Sequence, residues 1–240
     1  MFESKRLLVT GGCGFIGSHF IRMILQRPEV TVLNVDMLTY AGNENNLTDV
    51  VAEYGDRYQH ICADICDIET IEKTVDDFSP DTIVHFAAES HVDRSYFDAH
   101  DFIKTNIEGT RVLLEAARKK GGIRFVHIST DEIYGDVEEG EFSTEESPMK
   151  PSNLYAASKA GADLLVQSFI RTHVFSGVIV RGSNNYGTYQ YPEKLIPMVI
   201  TNLLEGVPIS LHGDGTHQRA WLYVEDFCSA IIKVMDKAPN

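Results

Sequence analysis

The stretch ISTDEIYG, residues 128–135, sets two carboxylates, Asp131 and Glu132, side by side where a hydrophobic run ends in Ser129 and Thr130. Adjacent carboxylates disfavour each other's ionised form, so the pairing is costly unless one of them is used as an acid. Further along, YAASK places Tyr155 and Lys159 four positions apart, on one face if the segment is helical. A phenol with a pKa near 10 is a poor base at neutral pH, and lowering it by about three units takes roughly 4 kcal/mol. One ammonium about 4 Å away, at an effective dielectric of about 20, supplies an amount of that order. Tyr155 is thus expected to remove a hydroxyl proton while hydride leaves the same carbon.

An acceptor for that hydride is legible near the N-terminus. VTGGCGFIGSHF spaces Gly11, Gly14 and Gly17 between a short apolar run and an amphipathic one. Glycines there permit a tight turn, close approach of backbone to a pyrophosphate and close helix packing, with the helix N-terminus facing the phosphates. The next apolar run ends in Asp36, about 20 residues on, where a carboxylate accepts from the hydroxyls of an adenosine ribose and would repel a 2′-phosphate. The cofactor expected is therefore NAD rather than NADP, and its positive nicotinamide would help the tyrosine ionise.

The acidic pair then has a use. Once a sugar hydroxyl at C4 has been oxidised to a ketone, the C5 proton is acidic and a carboxylate can remove it. A second carboxyl, protonated, can help a C6 hydroxyl leave as water, and hydride returned to C6 completes a 4-keto-6-deoxy sugar. Mutual repulsion of Asp131 and Glu132 would help keep one of them protonated. The alternative is a solvated acidic loop.

The elements that must position these groups alternate. Strand-like runs RLLVTGG, VTVLNVD, YQHICAD, TIVHFAAE, RFVHIST and SGVIVRG are separated by helical patterns, among them GSHFIRMILQ, IETIEKTVDDF, HDFIKTNIEGTRVLLEAARKK and AASKAGADLLVQSFIRTH. Continuous apolar strands alternating with helices predict an α/β fold with a parallel, doubly wound Rossmann sheet covered on both faces. From about Arg181 the alternation weakens and turn residues increase. The expected division is residues 1–180 as an NAD-binding domain carrying the catalytic residues, and 181–240 as part of a smaller C-terminal substrate-binding cap over the sheet's carboxyl edge.

Composition narrows the class. With 21 basic against 35 acidic residues, a net charge of −14 argues against nucleic acid, which demands a basic footprint. No apolar run reaches membrane-spanning length, and the N-terminus has no signal-peptide pattern, so no membrane partner and a cytoplasmic location are expected. Cys62 and Cys66, in HICADIC, have no second ligand pair at zinc-finger spacing, so no metal is expected and the four cysteines read as reduced thiols.

Taken together, TGGCGFIGS, LTYAGN, FAAESHVDRS, TNIEGT, STDEIYG, YAASK, SNNYGTYQYPEKLIP and GDGTHQRAWLYVEDF resemble the extended short-chain dehydrogenase/reductase family, and within it the dTDP-glucose 4,6-dehydratases. The resemblance covers essentially the whole chain. It implies that Asp131 is the acid to the C6 hydroxyl and Glu132 the base at C5. It implies too that Thr130 holds the C4 hydroxyl beside Tyr155, with Asn106 behind the tyrosine as a proton-relay candidate.

By the same resemblance Phe15, Ile16, Asp36, Met37, Leu38, Thr39, Asp64, Ile65, Phe86, Ala87, Ala88, Glu89, Ser90, Thr105 and Asn185 fall where the family touches NAD, along with Tyr155 and Lys159. Ser90, Asn184, Lys194, Leu195, His212 and Arg219 fall where it holds the nucleotide sugar. An arginine suits a diphosphate because its guanidinium matches phosphate bidentately. The chain departs from the family pattern at Gly182, Thr188, Ala220 and Phe227, all in the nucleotide-sugar half, and the cap reads as truncated. A dehydratase of another nucleotide sugar, such as UDP-N-acetylglucosamine, is the main alternative. Less favoured are a nucleotide-sugar epimerase or decarboxylase and a silent NAD-sensing protein. The family resemblance also implies a homodimer through the helices at HDFIKTNIEGTRVLLEAARKK and KAGADLLVQSFIRTH, whose apolar residues lie on more than one face.

Overall fold

The six apolar runs extend because residues alternate between two buried faces, and all six pair in parallel. The computed structural model describes residues 5–91, 99–138, 140–173, 175–209 and 214–237. Its main sheet holds β1 (Arg6–Thr10), β2 (Thr31–Asp36), β3 (Tyr58–Cys62), β4 (Thr82–His85), β5 (Arg124–Thr130) and β6 (Gly177–Gly182). Their spatial order is β3-β2-β1-β4-β5-β6. The winding reverses between β1 and β4, which register Leu7 on Thr82 and Thr10 on His85. Such a reversal opens a crevice at the carboxyl ends of the strands.

Period-two alternation sends successive strand residues to opposite layers. Leu7 and Val9 pack with Phe20, Ile21 and Ile24 of α1 (Phe15–Ile24). Leu8 instead packs with Ile71 and Val75 of α3 (Ile68–Phe78), with Leu113 and with Val166 of α5 (Leu154–His173). A shorter α2 (Thr48–Tyr54) adds Val50 to the first layer.

Helix α4 begins with an α-turn at His100–Phe102 and ends as a regular helix at Thr110–Lys120. Between them Ile103–Gly109 is wound as a π-helix, a wider form that recurs at functional sites. Gly109 sits there because a Cβ would fall 2.4 Å from Ile65 Cδ1.

The stretch read as cap divides. Its β7 (Asn184–Tyr186) pairs in parallel with β8 (Trp221–Tyr223) in a separate two-stranded sheet. Helix α6 (Leu195–Glu205) buries none of its residues. The last helix, α7 (Val224–Lys237), belongs to the sheet's own first layer. Phe227, Cys228, Ile231 and Met235 carry its apolar stripe into the core that α1 lines, and Arg27 closes the far end with a bidentate ion pair to Asp236. Among the described residues, no helix is long and apolar enough to cross a membrane, and all four cysteines are free thiols.

Candidate active site

The turn after β1 is built for close approach. Gly11 has φ +73°, and a Cβ there would stand 2.5 Å from Ala87 N; a Cβ on Gly17 would stand 2.3 Å from Gly11 O. Helix α1 then starts at Phe15, and no side chain caps it at Gly14. Its first amides are thus available to an anionic group, as a dinucleotide pyrophosphate requires. Asp36, buried at the end of β2, is held in place by two backbone amides. Its Oδ2 accepts from Cys13 N at 2.9 Å and its Oδ1 from Leu38 N at 2.9 Å. Each oxygen keeps a lone pair for a ribose hydroxyl, so these residues fit a dinucleotide.

A cavity of about 580 Å³ collects most of the expected residues. Gly11, Gly14, Phe15, Ile16, Gly17, Asp36, Met37, Thr39, Asp64, Ile65, Phe86–Ser90 and Thr105 line it. Thr130, Glu132, Tyr155 and Lys159 share its wall with Asn184, Asn185, Lys194, Leu195 and Arg219. Leu38 and Asp131 are not on that wall. Leu38, at φ +55°, serves through its amide to Asp36. His212 lies outside the described residues.

The cavity also takes in residues that lie within the quoted motifs but carry no role read from the sequence. Tyr40 and Tyr191 meet edge to face, with ring centroids 5.4 Å apart, and His91 pairs with Glu193 at 3.0 Å. These contacts join loops distant in sequence, so no local periodicity marks them. Among the departures from the family pattern, Gly182 and Phe227 prove to be one feature. Phe227 fills the space where a Cβ on Gly182 would fall, 2.6 Å from its Cζ.

The acidic pair sits in a short 3-10 turn, Asp131–Tyr134, opened by Thr130, whose hydroxyl accepts from Glu132 N at 3.2 Å. That hydroxyl also makes a long contact, 3.4 Å, to Asp131 Oδ1. The Asp131 carboxyl is raised above the usual carboxylate range, by burial first and by the charge of Glu132 second. The residue as a whole is exposed, so it is the carboxyl's local surroundings that lack solvent. Mutual repulsion therefore contributes, as the sequence suggests, but burial contributes more.

The tyrosine differs from expectation. Its pKa is raised, by burial and then by Glu132, while a hydrogen bond with Thr130 works the other way. Lys159 is not among the groups that set it; its ammonium donates to the β5 backbone at Ile128 O, 2.7 Å away. Lys159 itself is pushed from its ordinary 10.5 down to about 8 by burial, against the pull of Asp163. His127, beside it, is held neutral, down at about 4, chiefly by burial.

Native Lys159 thus gives up its proton near pH 8, whereas the unfolded chain holds it to 10.5. Between those values the unfolded state binds more protons, so this group's contribution to stability rises with pH. Below pH 8 the buried charge costs about 3 kcal/mol, the size of that shift. Relative to wild type, Lys159→Met should therefore lose about 3 kcal/mol of stability between about pH 7 and pH 10.5. Urea denaturation at several pH values reads this, and a pH-independent difference would refute it.

Behind the turn, the buried Asp163 on α5 accepts from Arg181 Nε at 2.8 Å, and Arg181 Nη1 donates to Tyr134 OH at 2.8 Å. Burial pushes the Asp163 carboxyl up, but His127 and Arg181 outweigh this and hold it below the usual range. The chain Asp163–Arg181–Tyr134 ties the acidic turn to the helix that carries Tyr155. Asn106 lies behind that helix but turns to other partners. Its amide donates to Glu89 O and to Ser158 Oγ and accepts from Glu89 N, so it braces the loop after β4 against α5.

Residues 7–240 match the NAD dependent epimerase/dehydratase family. The dTDP-glucose 4,6-dehydratase of Haemophilus influenzae is 48% identical over 241 residues, an overlap covering 96% of this chain and 71% of that protein. A dTDP-glucose 4,6-dehydratase of Streptomyces venezuelae, solved with NAD bound, has a TM-score of 0.91 at 48% identity, covering 96% of this chain and 71% of its own. The UDP-glucose 4-epimerase of Thermotoga maritima shares the fold at a TM-score of 0.89, with 29% identity over 98% of this chain and 74% of its own. The chain belongs to the NAD dependent epimerase/dehydratase family, and within it groups with the dTDP-glucose 4,6-dehydratases.

Proposed function

We propose that this protein converts dTDP-glucose to its 4-keto-6-deoxy product. The observation that carries the reading is the Thr130–Asp131–Glu132 turn set beside Tyr155 and Lys159, at the wall of a cavity that begins in a glycine cradle. NAD bound in that cradle would take the hydride from C4 and later return it to C6. The glycine turn and the α1 amides hold its pyrophosphate, and Asp36 holds its adenosine ribose.

Tyr155 takes the proton of the C4 hydroxyl, with Thr130 orienting that hydroxyl. Glu132 removes the C5 proton, whose electron pair passes into the enolate of the C4 ketone, and gives a proton back to C5 once hydride has been returned to C6. Asp131, raised in pKa, gives a proton to the departing C6 oxygen and releases it as water. Because Asp131 stands just off the cavity wall, this step needs its carboxyl to turn inward past the Thr130 hydroxyl. Arg219, Lys194 and Asn184 hold the nucleotide diphosphate. The cap portion is the segment from 183 to 223, with α7 returning to the sheet.

A fold shared with an epimerase does not separate the two activities; the acidic pair does, since epimerisation needs no elimination. A panel of dTDP-glucose, UDP-glucose and UDP-N-acetylglucosamine, with products identified by mass, tests the reading. Loss of water from dTDP-glucose without added oxidant or reductant is expected, and a 4-epimer in place of the dehydrated sugar would overturn it.

We place the enzyme in the cytoplasm as a homodimer, since Ile103 on α4 and Leu164 on α5 are more than half exposed and apolar side chains so placed suit a helical interface. The assayed sample should scatter light as a dimer. A monomer at micromolar concentration would count against that assembly.

A further inference from the structure

Tyr155 is the second residue of helix α5, so whatever fixes the start of that helix also fixes the tyrosine. The residue before the helix is Asn153, half-buried. Its Oδ1 accepts from Ala156 N at 2.8 Å, and its carbonyl accepts from Ala157 N at 2.9 Å. This is the pattern of a helix N-cap. The cap bond also settles the orientation of the amide, because a flipped side chain would face Ala156 N with another donor. The amide nitrogen is thereby directed the other way, to Glu132 Oε2 at 3.0 Å. One side chain spans the two halves of the site.

We propose that Asn153 is a positioning residue for the elimination step, orienting the Glu132 carboxylate for the C5 proton while capping the helix that carries Tyr155. The inference rests on the reading of Glu132 as the C5 base. The rest of the turn leaves this task to Asn153. Thr130 Oγ engages the backbone amide of Glu132, and Lys150 N donates to Ile133 O. These bonds fix where the main chain goes but leave the carboxylate free to rotate. An N–H donor pairs best with an ionised carboxylate, the form a base must hold. It also uses one lone pair of Oε2 and leaves Oε1 for the substrate.

Two substitutions separate this role from a structural one. Serine and aspartate both cap helices about as well as asparagine, so neither Asn153→Ser nor Asn153→Asp should unfold the protein. Serine removes the amide donor to Glu132 and leaves only a shorter hydroxyl held at the cap. Aspartate sets a second carboxylate against the first, where the two disfavour each other's ionised form.

The measurement is a single turnover of dTDP-glucose in deuterated solvent, with mass detection of the 4-ketose and of deuterium at C5, beside thermal unfolding of each variant. C4 oxidation should run at the wild-type rate in both variants. Deuterium uptake at C5 should fall by ~10- to 100-fold in Asn153→Ser, the range for losing one hydrogen bond to a charged group, and further in Asn153→Asp. Oxidation and exchange falling together, in step with lost thermal stability, would show a cap and nothing more. Unchanged exchange in Asn153→Asp would overturn the inference while leaving the dehydratase reading intact. A wild-type protein that oxidises C4 but never exchanges C5 would overturn the reading of Glu132 and the inference with it.

Discussion

Tyr155→Phe is expected to stop the reaction before any 4-ketose forms, with a loss of at least ~100- to 10,000-fold, the contribution of a positioned acid–base group. The substitution removes one oxygen and keeps the ring, so the packing at the head of α5 should survive. What it takes away is the acceptor for the C4 hydroxyl proton. Burial and the nearby carboxylates hold the phenol up in pKa, so in this geometry it is protonated and must be made a base within the turnover. For Lys159 to do this its ammonium must leave the β5 carbonyl and turn to the phenol, and the positive nicotinamide of bound NAD would add to the effect. That ammonium is one helical turn from Tyr155 and buried, and in this structure it is bonded to Ile128 O. Single-turnover mass analysis should find intact dTDP-glucose with no C5 deuterium in this variant. Formation of 4-ketose at the wild-type rate would remove Tyr155 from the first step and leave a carboxylate, Glu132 or Asp131, as the base.

Much of this architecture is legible without coordinates, for a physical reason. Strands buried on both faces are largely apolar, so RLLVT and TIVH announce themselves, and the alternation with helices leaves few topologies. Glycines forced by backbone contact are visible in the same way, since the sequence can place nothing else at Gly11 or Gly17. The π-wound stretch of α4 is different. Its residues satisfy an ordinary helical pattern, and the widening arises where Asn106 reaches both Glu89 and Ser158.

The placement of α7 is also tertiary. Its apolar stripe says that one face is buried but not against which layer, and only the pairing of α1 with Phe227 and Ile231 decides it. Within the site, the motifs find the groups that do chemistry and miss those that orient them. Asn153 reads as a turn residue before a helix, and Arg181 as the end of a strand. Their functions lie in contacts with Glu132 and with the Asp163–Tyr134 pair, which no spacing in the chain encodes. The direction of Lys159 belongs to the same class, because a buried ammonium bonds to whichever carbonyl the fold puts nearest.

Glu132→Gln and Asp131→Asn should stop the reaction at two different places after C4 oxidation. Adjacent residues in a turn project differently, and here only Glu132 reaches the cavity wall, while Asp131 stands behind the Thr130 hydroxyl. Glutamine at 132 keeps the shape and the hydrogen-bonding reach toward Asn153 but cannot accept a proton from C5. The 4-ketose should then accumulate with no deuterium at C5 and no loss of water. Asparagine at 131 cannot donate the proton that the departing C6 oxygen needs. The C5 proton should still exchange with solvent in that variant, while dehydration falls by ~100- to 10,000-fold, the range for a missing general acid. The raised pKa of Asp131 gives a second handle. As a proton donor it works below its own pKa, so dehydration should weaken as pH rises through that value, and this limb should vanish in Asp131→Asn. Recovered sugar, analysed by mass for the ketone, the lost water and C5 deuterium, distinguishes the cases. If both variants block formation of the 4-ketose as completely as Tyr155→Phe, the carboxylates act before the elimination, and the division of labour between them is wrong.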